Sequence, residues 1–211
     1  MKDWKSIKTH LIKVDEKMES LIQQFGISPF AKKVDENINL FDNLISSIVS
    51  QQLSTKVART IKDRLYTLGK ITAFTPKFLI QTSTEDLRIC GLSYAKCRSM
   101  KEIAEVLIEE PDYLSSLSDK SNEFITEKLI KLRGIGIWTA EMFQMFSLRR
   151  QDIFSHGDAG LIKGLRIVYF NKENPKLDEI EKITSKWKPY RSIGSWYMWQ
   201  VANNEPPINK K

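Results

Sequence analysis

The sequence predicts an all-α fold, on three observations. Apolar residues recur at spacings of three and four along almost the whole chain, the period of a one-sided helix. No stretch of four or more residues alternates apolar with polar between turn residues, as a half-buried strand would. Several stripes close at Gly26, Gly69 or just before Pro111, residue types that stop helices.

In chain order, Trp4, Ile7, Leu11, Val14, Met18, Leu21 and Phe25 make the first stripe. It predicts one N-terminal helix over about 4–25, packed with the C-terminal helices; a coiled-coil seam would show the same spacing. Gly26 ends it and Pro29 follows. Leu40, Phe41, Leu44, Ile45, Ile48 and Val49 predict a second helix. Ser54 is placed to cap a basic helix carrying Val57, Ile61 and Leu65 and ending near Gly69. Met100, Ile103, Ala104 and Leu107 mark another, stopped before Pro111. Further helices are expected over 124–131, 139–147, 161–169 and 177–187. There is no internal repeat. One domain over 1–202 and a loose tail over 203–211 complete the expected layout.

At 211 residues the chain is long enough to bury a core without staples. Its 41% hydrophobic and 28% charged residues exclude a disordered composition. The longest uninterrupted apolar runs are four residues, Ile167 to Phe170 and Trp196 to Trp199, too short to cross a membrane as a helix. Residues 1–21 lack a signal-peptide core, so an intracellular protein is expected, cytoplasmic or nucleoid-associated in a prokaryote and nuclear in a eukaryote. Cys90 and Cys97 are too few for a disulfide framework or an iron–sulfur cluster, and with two histidines they make no zinc site. Thirty-three basic residues against 26 acidic ones give a net charge of +7. The excess is local: residues 56–70 carry +4, 127–150 and 163–176 +3 each and 186–211 +4, whereas 84–110 and 112–126 carry −2 each. Such blocks suit one positive face and a polyanion partner, and equally an ordinary solvated surface.

The informative segment is Leu132-Arg133-Gly134-Ile135-Gly136-Ile137-Trp138-Thr139-Ala140, set between two helical patterns. Two glycines two apart allow a tight hairpin and close backbone approach to another molecule. The helix that follows points its unbonded N–H groups outward, where a phosphate would bind. Alone, a Gly-x-Gly between helices is equally a plain turn. Twenty residues after Trp138 stands Asp158, before a new helix, where an N-cap aspartate would also stand.

Together these motifs resemble the helix–hairpin–helix-GPD superfamily of DNA glycosylases, and within it the alkylpurine branch of 3-methyladenine DNA glycosylase II type. The resemblance runs from about Val34 to Gln200. It includes Ser47-Ile48-Val49-Ser50-Gln51-Gln52-Leu53-Ser54, Gly91-Leu92-Ser93-Tyr94-Ala95-Lys96, the hairpin with Trp138-Thr139-Ala140-Glu141, and Pro189-Tyr190-Arg191-Ser192. It implies two interleaved helical subdomains with the active site in the cleft between them. Asp158 would be the catalytic carboxylate; Trp138, Met142, Phe143 and Trp199 would line the base pocket. Gln51, Gln52, Leu53, Ser93, Lys96, Gly134, Gly136 and Thr139 would meet DNA, with Gln52 and Leu53 wedging into the gap left by a flipped nucleotide. No cofactor is implied beyond a Na+ or K+ ion on the backbone carbonyls of Ile130, Leu132 and Ile135. The expected partner is double-stranded DNA containing alkylated bases, bound by a monomer, with no membrane.

Two departures stand out. Many relatives have a second aspartate just before the catalytic one, where this chain has Gly157. Some also carry an N-terminal β-domain, for which the residues before the matched region are too few. The chemistry fits the residue types. A stacked base cannot be cut from its sugar, so it must be flipped out. Cleaving its glycosidic bond builds positive charge that a buried carboxylate stabilises. Bifunctional relatives hold a lysine just before the position of Thr139, and here Trp138 offers no amine for a Schiff base. Its indole suits stacking on a cationic base. Glu141 is read as solvated or salt-bridged, His156 as a loop residue and His10 as solvated. A glycosylase for oxidised or deaminated bases and a non-catalytic helix–hairpin–helix DNA-binding module are the alternatives.

Overall fold

The computed structural model describes residues 3–32 and 38–204, all of them in helices, turns and loops. Among these residues there is no strand, and none of the helices is long and apolar enough to cross a membrane. The helices are α1 (Trp4–Val14), α2 (Lys17–Phe25), α3 (Leu40–Ser50), α4 (Thr55–Gly69), α5 (Pro76–Gln81), α6 (Thr84–Ile89), α7 (Tyr94–Glu109), α8 (Asn122–Leu129), α9 (Ile137–Phe146), α10 (Ala159–Tyr169), α11 (Leu177–Thr184) and α12 (Arg191–Asn204). They divide into two compact units, one formed by Met1–Asp35 with Arg149–Lys211 and the other by Glu36–Leu148.

In the continuous unit, 36–148, the predicted stripes become the core. Leu44, Ile45 and Ile48 of α3 are buried with Leu65 of α4, Met100 and Ile103 of α7, and Ile125 of α8. Ser54 caps α4 by accepting the Val57 N–H, and Asn39 caps α3 through Asp42 N–H. Asp42 joins the elements at that end. Its carboxylate accepts from Tyr66 Oη at 2.7 Å and from the Phe74 amide at 2.8 Å, with Lys62 Nζ 3.5 Å away. The sequence stripes leave α5 and α6 unmarked, because six residues make less than two turns and cannot display a stripe.

In the discontinuous unit the expected single helix over 4–25 is two helices. Asp15 leaves the helical conformation at φ −152°, and its buried carboxylate accepts the Lys17 amide, Tyr169 Oη and Trp187 Nε1, at 3.0, 2.8 and 2.8 Å. A carboxylate with three donors away from its own helix outweighs one further helical turn. Burial and the adjacent Asp15 charge push the Tyr169 phenol well above its ordinary range, so it stays a donor. The same interior overturns the reading of His10 as solvated: its Nε2 is buried and its ring packs edge-on against Tyr190, 5.3 Å between centroids.

Helix α12 was not marked by any stripe, and its composition explains why. Ser192, Ile193, Gly194, Ser195, Tyr197 and Met198 are all buried, so small and large residues alternate around more than one face. Small residues are needed there. A Cβ on Gly194 would fall 2.3 Å from the Trp187 ring, and one on Gly164 of α10 would fall 2.2 Å from the Met198 carbonyl oxygen. Helices α10 and α12 therefore meet at backbone distance. Asn203 and Asn204, expected in the loose tail, complete α12; the remainder of that tail, 205–211, lies outside the described residues, as does Val34 at the start of the matched region.

Gly164→Ala should cost roughly 1–3 kcal/mol in urea unfolding, because backbone, unlike a side-chain tip, cannot swing away. Gly157→Ala, whose Cβ would meet nothing within 4 Å, should stay within about 0.5 kcal/mol of the parent.

Candidate functional site

The hairpin sits in the continuous unit, between α8 and α9. Gly134 takes φ +81°, and a Cβ there would lie 2.5 Å from Ser99 Oγ, so glycine is required on both conformational and steric grounds. Gly136 differs: it is the N-cap of α9, exposed, and a Cβ on it would meet nothing within 4 Å. The first helical bond runs from the Ala140 amide to the Gly136 carbonyl at 3.0 Å, which leaves the amides before it at the open end of α9. Ile137 and Trp138 are 61% and 41% exposed there.

The α3–α4 loop is tied to this hairpin. Gln51 Nε2 donates to the Gly134 carbonyl at 3.0 Å and to Thr139 Oγ1 at 3.1 Å. Lys96 Nζ donates to the carbonyls of Val49 and Gln51, at 2.9 and 2.8 Å. Gln52, held between, adopts φ +57°, a conformation costly for a residue with a Cβ, and is exposed with Leu53. Backbone strain at an exposed polar–apolar pair indicates a loop held in place by its surroundings.

A separate group of candidate residues lies in the discontinuous unit. Asp158 is the N-cap of α10 and is buried, 8% exposed. Its Oδ1 accepts both the Leu161 amide, at 2.8 Å, and the Trp199 indole N–H, at 2.9 Å. Gly160 makes this possible: a Cβ there would fall 3.0 Å from Trp199 Cδ1 and 3.1 Å from Asp158 Oδ1. The loop leading to Asp158 is clamped to the start of α12. Arg191 binds both carboxylate oxygens of Asp152, Nε to Oδ1 at 2.7 Å and Nη2 to Oδ2 at 3.1 Å, and Ser192 Oγ donates to the Arg150 carbonyl. His156 lies on that loop, 3.1 Å from Glu181.

The expected site residues are thus placed unequally. Asp158 and Trp199 are bonded to each other, and Gly134, Gly136, Gln51 and Thr139 form one hairpin assembly. Thr139, expected on DNA, turns its hydroxyl inward to Gln51 and is 3% exposed. Met142 is at the edge of burial, but Phe143 belongs to the hydrophobic core at 2% exposure and leaves no face for a base. Lys96 spends two of its three donors on backbone carbonyls, and burial pulls its ammonium below the ordinary lysine range. Ser93 caps α7 through the Lys96 amide. The sequence reading missed Gly160, Asp152 and the clamping role of Arg191. The last two stand 39 residues apart and carry no mutual signal in the linear chain.

The monovalent-cation expectation rests on carbonyls. That of Leu132 accepts the Ile135 amide at 3.1 Å, which uses one of its two lone pairs. Among the described residues no group of three or more His, Cys, Asp or Glu side chains is placed to hold a metal ion.

Comparison with known proteins agrees with this geometry. Residues 45–189 match the model of the HhH-GPD superfamily base excision DNA repair proteins. An alkylbase DNA glycosidase-like protein of Schizosaccharomyces pombe is 30% identical over 99% of this chain and 97% of its own length. Among solved structures, a DNA-3-methyladenine glycosidase from Bacillus halodurans superimposes with a TM-score of 0.80 at 32% identity, covering 94% of this chain and 89% of that one. A Schizosaccharomyces pombe 3-methyladenine DNA glycosylase in complex with abasic DNA gives 0.79 at 27% identity, covering 97% of this chain and 100% of that one. With its hairpin, its capping aspartate and more than half its length matched, the chain belongs to the HhH-GPD superfamily of base excision DNA repair proteins.

Proposed function

We propose that this protein is a monofunctional DNA glycosylase that extrudes an alkylated purine from duplex DNA and hydrolyses its N-glycosidic bond. Water adds its hydroxyl to the sugar C1′ and releases its other proton to solvent, the cationic base departs as a neutral molecule with the bonding pair, and an abasic site remains. The observation that carries this reading is Asp158: a buried carboxylate whose position is set by the α10 amide and by the Trp199 indole on the same oxygen. A carboxylate so fixed stabilises the cationic sugar as the bond breaks, with no reorganisation at that moment. Alkylation at N3 of adenine or N7 of guanine already makes the base a good leaving group, so one decisive carboxylate suffices. Trp138, at the position where a lysine would form a Schiff base, limits the reaction to hydrolysis. The relatives named 3-methyladenine glycosylases support the choice of substrate.

In this reading the indoles of Trp138, in the continuous unit, and of Trp199, in the discontinuous one, are each suited to stacking on a flipped base. Stacking is worth about 1–3 kcal/mol per base and a cationic base adds roughly 0.5–2 kcal/mol. Gln52 and Leu53, exposed on the strained loop, fill the gap in the duplex. The amides at the open end of α9 take a backbone phosphate. The carbonyls of Ile130, Leu132 and Ile135 fit a Na+ or K+ ion to the extent that Leu132 keeps a lone pair beyond its turn bond. When bound, the ion would add positive charge to the hairpin. The protein acts as a monomer within the cell.

An excision panel tests the function directly. Each single-turnover rate, divided by its spontaneous rate, should be higher for 3-methyladenine and 7-methylguanine than for hypoxanthine; uracil or 8-oxoguanine as the best substrate would overturn the alkylpurine reading. Trp138→Ala should narrow the gap between cationic and neutral bases.

Asp158→Asn should lower excision by a factor on the order of 100 or more while binding to abasic duplex stays nearly intact. Asparagine caps a helix as well as aspartate does, so thermal stability should barely move. Excision at the parental rate would leave Asp158 a helix cap.

Gly136→Val should weaken binding to damaged and undamaged duplex alike without loss of folding, since its side chain would enter open space at the phosphate-facing end of α9. Loss confined to damaged DNA, measured by fluorescence anisotropy, would place this residue against the base instead.

A further inference from the structure

The α3–α4 loop has two flanks, and the proposed reaction uses only one. On one flank Gln51 is bonded to the hairpin, which in that reading takes a backbone phosphate. On the other, Leu53 lines a groove of about 290 Å³ whose remaining walls include Ser50, Thr55, Arg59 and Lys62. Two basic side chains, Arg59 and Lys62, line the groove, and helix α4 as a whole carries Lys56, Arg59, Lys62 and Arg64 against Asp63. Its two cations differ in their attachments. Lys62 is 3.5 Å from Asp42 and lies over the Tyr66 ring. Arg59 is exposed and has no hydrogen bond or ion pair within the described structure. An exposed arginine with no ion pair among the described residues, in one groove with the hydroxyl side chains of Ser46, Ser50 and Thr55 and the exposed Leu53, has the donor set for a phosphodiester.

A wedge that enters a duplex from one side has one strand at each flank. If the hairpin holds the damaged strand beside Gln51, the flank of Leu53 and Arg59 faces the complementary strand. We propose that this groove, with Arg59 as its principal donor, binds a backbone phosphate of the strand opposite the flipped nucleotide. It thereby restricts productive binding to duplex DNA. The inference rests on the glycosylase reading given above.

The test uses the whole chain, the Arg59→Ala and Arg59→Lys variants, and duplexes bearing a stable abasic-site analogue. Single methylphosphonates, which remove one phosphate charge, are placed in turn along the complementary strand. The parent protein should lose affinity roughly tenfold at one or two adjacent positions near the gap, the scale of one charge-assisted contact. Arg59→Ala should show that loss on the unmodified duplex, lose nothing more at those positions, and have a shallower salt dependence by about one phosphate contact. Arg59→Lys should restore part of the affinity. On the single-stranded oligonucleotide, parent and Arg59→Ala should bind equally. Equal affinity of parent and Arg59→Ala for the duplex, or methylphosphonate sensitivity that persists in Arg59→Ala, would overturn the proposal. Failure of the parent to excise alkylated purines would instead remove the glycosylase reading, so the two failures are distinguishable.

Discussion

The approach of α10 to α12 governs the chemistry of the discontinuous unit. Gly164 lets the two backbones meet at a distance where even a methyl group would collide with the Met198 carbonyl. Trp199 follows Met198 directly, and one turn earlier in α10 Gly160 clears the space that its indole crosses to reach Asp158. The carboxylate consequently has one orientation, set from one side by its own helix and from the other by a neighbouring one. Side-chain volume is excluded at two glycines so that one aspartate can be held without torsional freedom.

Acidic side chains serve this fold as internal joints. Asp15 gathers a phenol, an indole and an amide; Asp42 gathers a phenol, an amide and a lysine; Asp152 takes the fork of Arg191. Each joins segments distant in sequence through bonds to a charged acceptor, which are stronger than neutral ones. On α4 the exposed basic residues Lys56, Arg59 and Arg64 outnumber the one acidic residue, Asp63. The local charge excess along the chain and the internal use of its aspartates are two sides of one arrangement suited to a polyanion.

The hairpin assembly follows a similar economy. Lys96 and Gln51 together occupy four oxygen acceptors around the end of α3 and the hairpin, and the strained Gln52 is carried outward between them. Rigid support behind an exposed pair lowers the ordering cost when DNA is bound. Lys96 contributes by holding backbone, which is why its burial is tolerated despite the price in desolvation.

The sequence by itself determined the all-helical class, the hairpin, the capping position of Asp158 and the absence of a lysine at Trp138. Each is local: a periodicity, a pair of glycines or a residue type at a fixed spacing. Where a residue's role depended on a distant partner, only the tertiary structure decided it. Asp15 reads as one more polar residue in a helical stripe until Tyr169 and Trp187 arrive to break the helix there. Phe143 looks like a pocket aromatic beside Trp138 until the core of α3, α7 and α8 closes around it. Lys96 looks like a phosphate ligand until the end of α3 presents two carbonyls to it. Helix α12 shows no stripe because its neighbours bury it on several faces, and Gly160 shows nothing until Trp199 passes over it. Helix periods and caps are written within a few residues of chain, whereas close packing and buried hydrogen bonds are settled between segments that meet only after folding.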